Sequence, residues 1–410
     1  MKKLLKFLLS LVVVGVVYSI ISGISSGGGS SYDTDAPLLG SVYSETVGNS
    51  VFVGEPLVEL PEESLLWSFG QLSPDEQTTY IAIRDAAAAY SVLSIPVNVS
   101  TDGLDRVLEA LDNDHPEIFW FDGELTYYST ETAPDHVTAV ELTYTVPEAD
   151  IPRIQTQIDT YIAGCMASPD MVAATSDFDK IVAVYRYLVD HTEYDLAYTE
   201  EQSVVSLMQE GRAVCRGYAE TFCLIMHRMG YPCTVIAGLS SQDWVLSDDG
   251  HAWNAVMLDG QWYNVDVTWG DPVYTDELPE GEARHPDDDF ILVNDDLFDR
   301  DHTDFNQLGS PACTAMDYNY HNYYGLLHSA WSEEYFRWAL QAQLDLGLAW
   351  AQVRYDNYDA YYTAKTVLFD DGLLGDLVVE MGFGQDNGDH ISWTYNYNDI
   401  TGTIYVQLIY

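Results

Sequence analysis

At 410 residues the chain can hold two or three domains and a sizeable core. With 47% apolar and 20% charged residues it is neither disordered nor fibrous. Sixteen Lys and Arg stand against 65 Asp and Glu, a net charge of −49 that repels phosphate backbones and argues against nucleic acid as a partner.

Lys2, Lys3 and Lys6 precede an uncharged run rich in Leu, Val and Ile over 7–24. That is the pattern of an export signal or an N-terminal anchor whose lysines stay inside. Its 18 residues are at the lower limit for crossing a bilayer. The expectation is an uncleaved anchor with everything downstream outside. A cleaved signal, giving a secreted protein, is the alternative, and the membrane is touched only through this segment. Residues 25–63 read as a flexible linker punctuated by Gly, Ser and Pro.

Ser73-Pro74-Asp75-Glu76 opens a helix, with Ser as cap, Pro in the first turn and Glu three residues on. A second helix is expected over 101–112 and strands over 125–129 and 137–146, making 64–150 a small α+β module. Helices over 151–166 and 178–191 lead into a domain spanning 151–305. An acidic loop is expected over 276–289. Residues 306–410 read as a C-terminal α+β module: a helix over 332–346, a strand over 348–355, a helix over 356–369 and a closing hairpin of 391–397 with 402–410. The cysteines are Cys165, Cys215, Cys223, Cys233 and Cys313. They are too few for a disulfide scaffold, and their odd number leaves at least one thiol free.

The chemistry begins at Cys215. After it, Ala219, Phe222, Ile225, Met226 and Met229 repeat at helical spacing until Gly230 and Pro232 stop the helix. Cys215 then falls in the first turn, where free N–H groups and the macrodipole favour a thiolate. Arg212 and Arg216 flank it. A buried structural thiol is the plainer reading, and it is the one assigned to Cys223 in mid-helix. Further on, Asp259-Gly260 joins two apolar-rich runs, a signal for a two-residue type I′ hairpin. That turn sets Leu258 opposite Gln261 and Asp266 opposite Trp253, so His251 becomes the diagonal neighbour of Asp266 on one face. Diagonal Cβ atoms lie about 7 Å apart, close enough for an imidazole and a carboxylate to hydrogen-bond. The carboxylate would orient the ring and leave its other nitrogen for a thiol.

Three stretches carry a family resemblance: Ala213-Val214-Cys215-Arg216-Gly217-Tyr218-Ala219, His251-Ala252-Trp253-Asn254, and Trp262 through Asp266 to Pro272. They resemble, in order, the motif blocks of the transglutaminase-like superfamily, and the layout is similar to its exported bacterial members. The resemblance covers about 203–272. It implies an α+β fold with a papain-like core, in which a Cys-bearing helix packs on an antiparallel sheet between small α+β modules. It also implies Cys215 as nucleophile, His251 as general acid/base and Asp266 as the orienting residue. The superfamily includes peptidases, amide-forming transferases, deamidases and inactive binding domains.

One oxyanion donor is expected to be the Cys215 backbone N–H. Gln209 is a candidate for the second, and Trp244 and Trp253 are candidates for the substrate wall. Acidic runs at 294–301 and 386–389 are expected as solvated surface, with no metal and no cofactor. The expected function is an extracellular cysteine acyl-transfer enzyme acting on protein or peptide amides, first a peptidase or amidohydrolase. A protein-glutamine transglutaminase and a non-catalytic cell-envelope binding module are the alternatives. The acidic surface suits a lysine-rich substrate.

Overall fold

The computed structural model describes residues 55–195, 203–242, 245–271, 286–346, 348, 350–381 and 392–409. The leader, most of the linker, Trp244, most of the acidic loop and the 386–389 cluster lie outside the described residues. Among the described residues no helix is long and apolar enough to cross a membrane. The chain divides into two compact units, Met1–Thr156 and Gln157–Tyr410. The second unit therefore takes in the expected catalytic domain from its seventh residue on, together with the C-terminal module.

In the first unit, Ser73 accepts from the Glu76 N–H while the Glu76 carboxylate accepts from the Ser73 N–H at 2.8 Å. This reciprocal cap starts α1 (Pro74–Ala88). Strand β1 (Ile95–Ser100) runs directly into α2 (Thr101–Asp114), capped by Ser100 Oγ. Strands β2 (Leu125–Thr130) and β3 (Ala133–Leu142) complete an antiparallel sheet in the order β1-β3-β2. Strand β3 lies four residues earlier than expected at each end. Its exposed start, Ala133-Pro134-Asp135, lacks the apolar alternation on which the reading relied. Trp120 is fully buried and its indole N–H donates to the Ala87 carbonyl at 2.8 Å, which ties the module's core together.

The chain enters the second unit through α3 (Ile151–Met166), then α4 (Pro169–Ala173) and α5 (Asp177–His191). Two-residue strands β4 (Glu193–Tyr194) and β5 (Arg212–Ala213) pair in parallel around α6 (Val204–Glu210). Helix α7 (Cys215–Arg228) follows, almost wholly buried. Strands β6 (Cys233–Gln242), β7 (Val245–Leu258), β8 (Gln261–Val265) and, after α8 (Asp295–Phe298), β9 (His302–Asp304) form one antiparallel sheet, ordered β8-β7-β6-β9. The β7–β8 turn has Asp259 at φ 50° and Gly260 at φ 75°, as a type I′ hairpin requires. Pairing runs from Leu258↔Gln261 to Asn254↔Val265, the register expected from that turn.

The remainder comprises α9 (Tyr320–Tyr323), β10 (Leu327–His328), α10 (Glu333–Asp345), β11 (Trp350–Tyr355), α11 (Tyr358–Lys365), α12 (Leu373–Glu380), β12 (Ser392–Asn398) and β13 (Thr403–Ile409). Its sheet is ordered β10-β11-β13-β12, over a core that includes Phe336, Val353, Tyr361, Leu377 and Ile404.

Asp287-Asp288-Asp289, at the end of the stretch expected as an acidic loop, is drawn into the interior. Asp288 and Asp289 are each 1% exposed. Asp289 accepts from the Thr403 hydroxyl at 2.6 Å and the Tyr405 hydroxyl at 2.6 Å, and Arg354 donates to its backbone carbonyl at 2.7 Å. Asp288 receives Gln352 at 2.7 Å and is paired with Arg186 of α5. The C-terminal sheet thus grips this segment, and Phe290 just beyond it accepts from the Asp266 backbone N–H at 3.1 Å.

Candidate active site

Helix α7 begins at Cys215, after an extended Val214 that offers no side-chain cap. Val214 therefore places no side-chain cap on the first N–H groups of the helix. Cys215 is 1% exposed. Glycine is required at 217, because a Cβ there would sit 2.8 Å from the Ala213 Cβ. Asn254 on β7 donates to the Ala219 carbonyl at 2.9 Å and docks the helix on the sheet. The flanking arginines have a different role from the one expected. Arg216 Nε donates to Glu220 at 2.6 Å, and Glu220 in turn accepts from the Val204 N–H at the start of α6. Arg212 is paired with Asp195 and Glu193 at the surface. Both charges are matched by acids, so the dipole and the neighbouring histidine remain to act on the Cys215 thiol.

His251 stands on β7 opposite Gly238. An alanine Cβ at 238 would meet the Trp253 ring at 2.3 Å and the Thr303 carbonyl at 2.4 Å, so the indole can lie flat only because this residue is glycine. Asp266, the residue after β8, is fully buried. Its Oδ2 accepts from His251 Nε2 at 2.6 Å, and its Oδ1 accepts from the Trp269 N–H at 3.0 Å. Cys215 lies close enough to the His251 ring to raise its proton affinity. With Nε2 engaged by Asp266, the nitrogen left for the thiol is Nδ1.

Electrostatics follow from this geometry. Burial pulls the His251 imidazole down, but the Asp266 carboxylate and Cys215 outweigh it and bring the ring to about 10. Burial pushes Asp266 up, yet His251 and His302 hold it well below the usual carboxylate range. Unfolded imidazole titrates near 6.5, so the stabilisation from His251 is complete below about pH 6.5 and is lost as pH rises through about 10. For Asp266 the contribution is present above about pH 3.9 and is lost as pH falls through its lowered folded value. Both are complete only between about pH 4 and 6.5. Urea unfolding should therefore show the stability gap between wild type and His251→Gln shrinking from pH 6 to pH 10. A gap constant over that range would contradict the assignment.

A second histidine, missed by sequence reasoning, joins the cluster. His302 Nε2 donates to Asp266 Oδ2 at 3.0 Å, and His302 Nδ1 lies 2.6 Å from Asp301 Oδ1. The run 294–301 is thus not simply solvated surface, since Asn294 is 6% and Asp301 3% exposed. Its only hint in the sequence was a lone histidine among acids just after Leu297-Phe298.

One donor atom each from His251, Asp266 and His302 lies within 4.8 Å of the others, the one such grouping among the described residues. The 2.6 and 3.0 Å separations are those of hydrogen bonds. Ligand atoms around a tetrahedral zinc bound at 2.0–2.1 Å would stand roughly 3.3 Å apart. Protons, rather than a metal, fit these spacings.

Gln209 requires a correction. It is exposed on the last turn of α6, and its amide donates to Gln157 Oε1 at 2.9 Å, a surface partner rather than an oxyanion. Trp253 is buried against Phe298 and His302 and walls a cavity of about 390 Å³ that Asp295, Asp299 and Asp304 also line. Burial, Asp295 and Asp304 raise the Asp299 carboxyl to about 6. None of the five cysteines is in a disulfide, and all are buried.

Residues 167–267 match the family model described as transglutaminase-like superfamily, a span that contains Cys215, His251 and Asp266. The chain is similar to the kyphoscoliosis peptidase of Homo sapiens, 27% identical over 140 residues covering 32% of this chain and 21% of that protein. The kyphoscoliosis peptidase of Mus musculus is 30% identical over 108 residues, covering 24% of this chain and 16% of the relative. The matches therefore span about a fifth of these relatives or less. Among solved structures, a TGase aligns with a TM-score of 0.26 at 17% identity, over 39% of this chain and 48% of that one. A putative cysteine protease from Cytophaga hutchinsonii aligns with a TM-score of 0.24 at 16% identity, over 35% and 61%.

Proposed function

The chain carries a transglutaminase-like core, and from that premise we propose that it is an extracellular thiol acyl-transfer enzyme hydrolysing protein or peptide amides. The observation that supports this reading best is the line Cys215–His251–Asp266, with the 2.6 Å His251–Asp266 bond at one end and a helix start at the other.

In this reading the Cys215 sulfur attacks the amide carbonyl after its proton has passed to His251 Nδ1. The tetrahedral oxyanion takes the Cys215 backbone N–H at the helix start. As the C–N bond breaks, His251 returns the proton to the departing amine, leaving a thioester. Water then attacks the thioester, giving a proton to His251 as the C–O bond forms; the C–S bond breaks and the sulfur leaves with the proton. Asp266 holds the ring in the tautomer that each transfer needs and offsets its charge. Hydrolysis needs no device for excluding water, whereas transfer to an amine does. The acidic surface favours lysine-rich substrates, and the 7–24 segment would hold the enzyme at the outer face of a membrane.

The test incubates the purified protein, under reducing conditions, with a peptide library, with and without a labelled primary amine. Cleavage or ammonia release without amine incorporation is the expected result. Efficient incorporation at glutamine would make it a transferase. Binding of envelope material with no turnover would make it a binding module.

A further inference from the structure

We propose that His302 is the positioning residue of this site: held between Asp301 and Asp266 with a proton on each ring nitrogen, it fixes the Asp266 carboxylate and moderates its pull on His251. The inference rests on the acyl-transfer reading for its purpose, but not for its geometry.

Both ring nitrogens of His302 face carboxylate oxygens, at 2.6 Å to Asp301 and 3.0 Å to Asp266. A carboxylate offers only lone pairs, so each nitrogen must donate, and the ring is an imidazolium. Its surroundings suit a cation. His302 is 1% exposed and stacks on the Phe298 ring at 4.0 Å and 21°. The other rings packed on it are Trp253, Trp269 and Phe290. The titratable groups acting on it are Asp266, Asp301, His251, whose ring is 5.5 Å away, and Asp299 at the end of α8. Burial lowers its proton affinity and the two hydrogen-bonded carboxylates raise it, with a net rise.

Oδ2 of Asp266 therefore receives two donors, His251 and His302. The second donor stops the carboxylate from rotating away when His251 moves toward a leaving group. The same positive charge partly cancels Asp266, so His251 gives up its proton more readily than it would beside an unshared carboxylate. Removing His302 also removes a nearby cation, which makes thiolate formation at Cys215 less favourable. With an effective dielectric near 20, a unit charge at this range shifts a titration by about one pH unit or more.

The experiment uses the whole protein with ¹⁵N-labelled histidine, in wild type, His302→Phe and His302→Gln. The phenylalanine variant keeps the ring stack and loses both donors. The glutamine variant keeps one amide donor and stands in if the former does not fold. At pH 7 the two ring nitrogens of wild-type His302 should both resonate as protonated. In a folded variant the acid limb of Cys215 alkylation should move up by about one pH unit, less for Gln than for Phe, with KM little changed and kcat reduced. A neutral His302 ring, or an acid limb that superimposes on wild type, overturns the proposal. If no peptide is turned over while the imidazolium signature and the shift are present, the hydrolase reading falls and the role of His302 stands. If wild-type Cys215 shows no acid limb, the ring signals alone decide.

Discussion

Asp266→Asn is expected to lower turnover by about 10⁴-fold, as the equivalent change does in a serine-protease triad. Three donors converge on Asp266: His251 Nε2, His302 Nε2 and the Trp269 N–H. Asparagine has a single acceptor oxygen. If that oxygen faces the two imidazoles, its NH₂ group opposes the Trp269 N–H; if it faces Trp269, the NH₂ opposes both histidines. Either way a buried donor is left unsatisfied, at a cost of about 1–3 kcal/mol. The lost charge matters more, because burial then draws His251 toward its neutral form and the proton relay with it. Steady-state kinetics with the best peptide substrate, alongside thermal melting, checks this. A folded Asp266→Asn enzyme with near-normal kcat would remove Asp266 from the mechanism.

The largest effect on stability is expected at Asp289. Its fully buried carboxylate faces Arg354 and His321 and accepts the Thr403 and Tyr405 hydroxyls. Burial alone would raise its pKa, but Arg354 and His321 bring it below the ordinary value. Asp289→Ala strands the buried Arg354 guanidinium, a loss of about 3–5 kcal/mol. The same change frees the segment whose Phe290 carbonyl holds the Asp266 backbone, so turnover should fall as well. Denaturant unfolding of wild type and variant reads the first effect, and Cys215 alkylation of the folded fraction reads the second. A variant as stable as wild type would mean that the C-terminal sheet does not brace the site.

How much of this was legible in the sequence depended on range. The Asp259-Gly260 turn is local and sets the β7–β8 pairing residue by residue, so the meeting of His251 and Asp266 could be inferred from two dihedral preferences. Cys215 at a helix start followed from apolar spacing that ended at Gly230. Strand β6, which carries Gly238 and pairs with both β7 and β9, has no turn signal of that kind and was missed. His302 comes 36 residues after Asp266 in a three-residue edge strand, and nothing local ties it to the cluster. Asp288 and Asp289 look like solvated acids by composition. They are buried only because Gln352, Arg354, Thr401, Thr403 and Tyr405, more than sixty residues on, supply partners. Arg212 and Arg216 erred the other way, because their acidic partners lie a turn of helix or a strand away.

The central claim is that Cys215 is a nucleophile activated by His251. Iodoacetamide labelling at pH 6, with mapping by mass spectrometry, tests it most directly. Burial pushes the Cys165 thiol up to about 12 and the Cys223 and Cys313 thiols higher than their ordinary values, so these three should stay unmodified in the folded protein. The account predicts modification at Cys215, lost in His251→Ala. Cys215 unmodified while another cysteine reacts, or Cys215 labelling unchanged in His251→Ala, would contradict it.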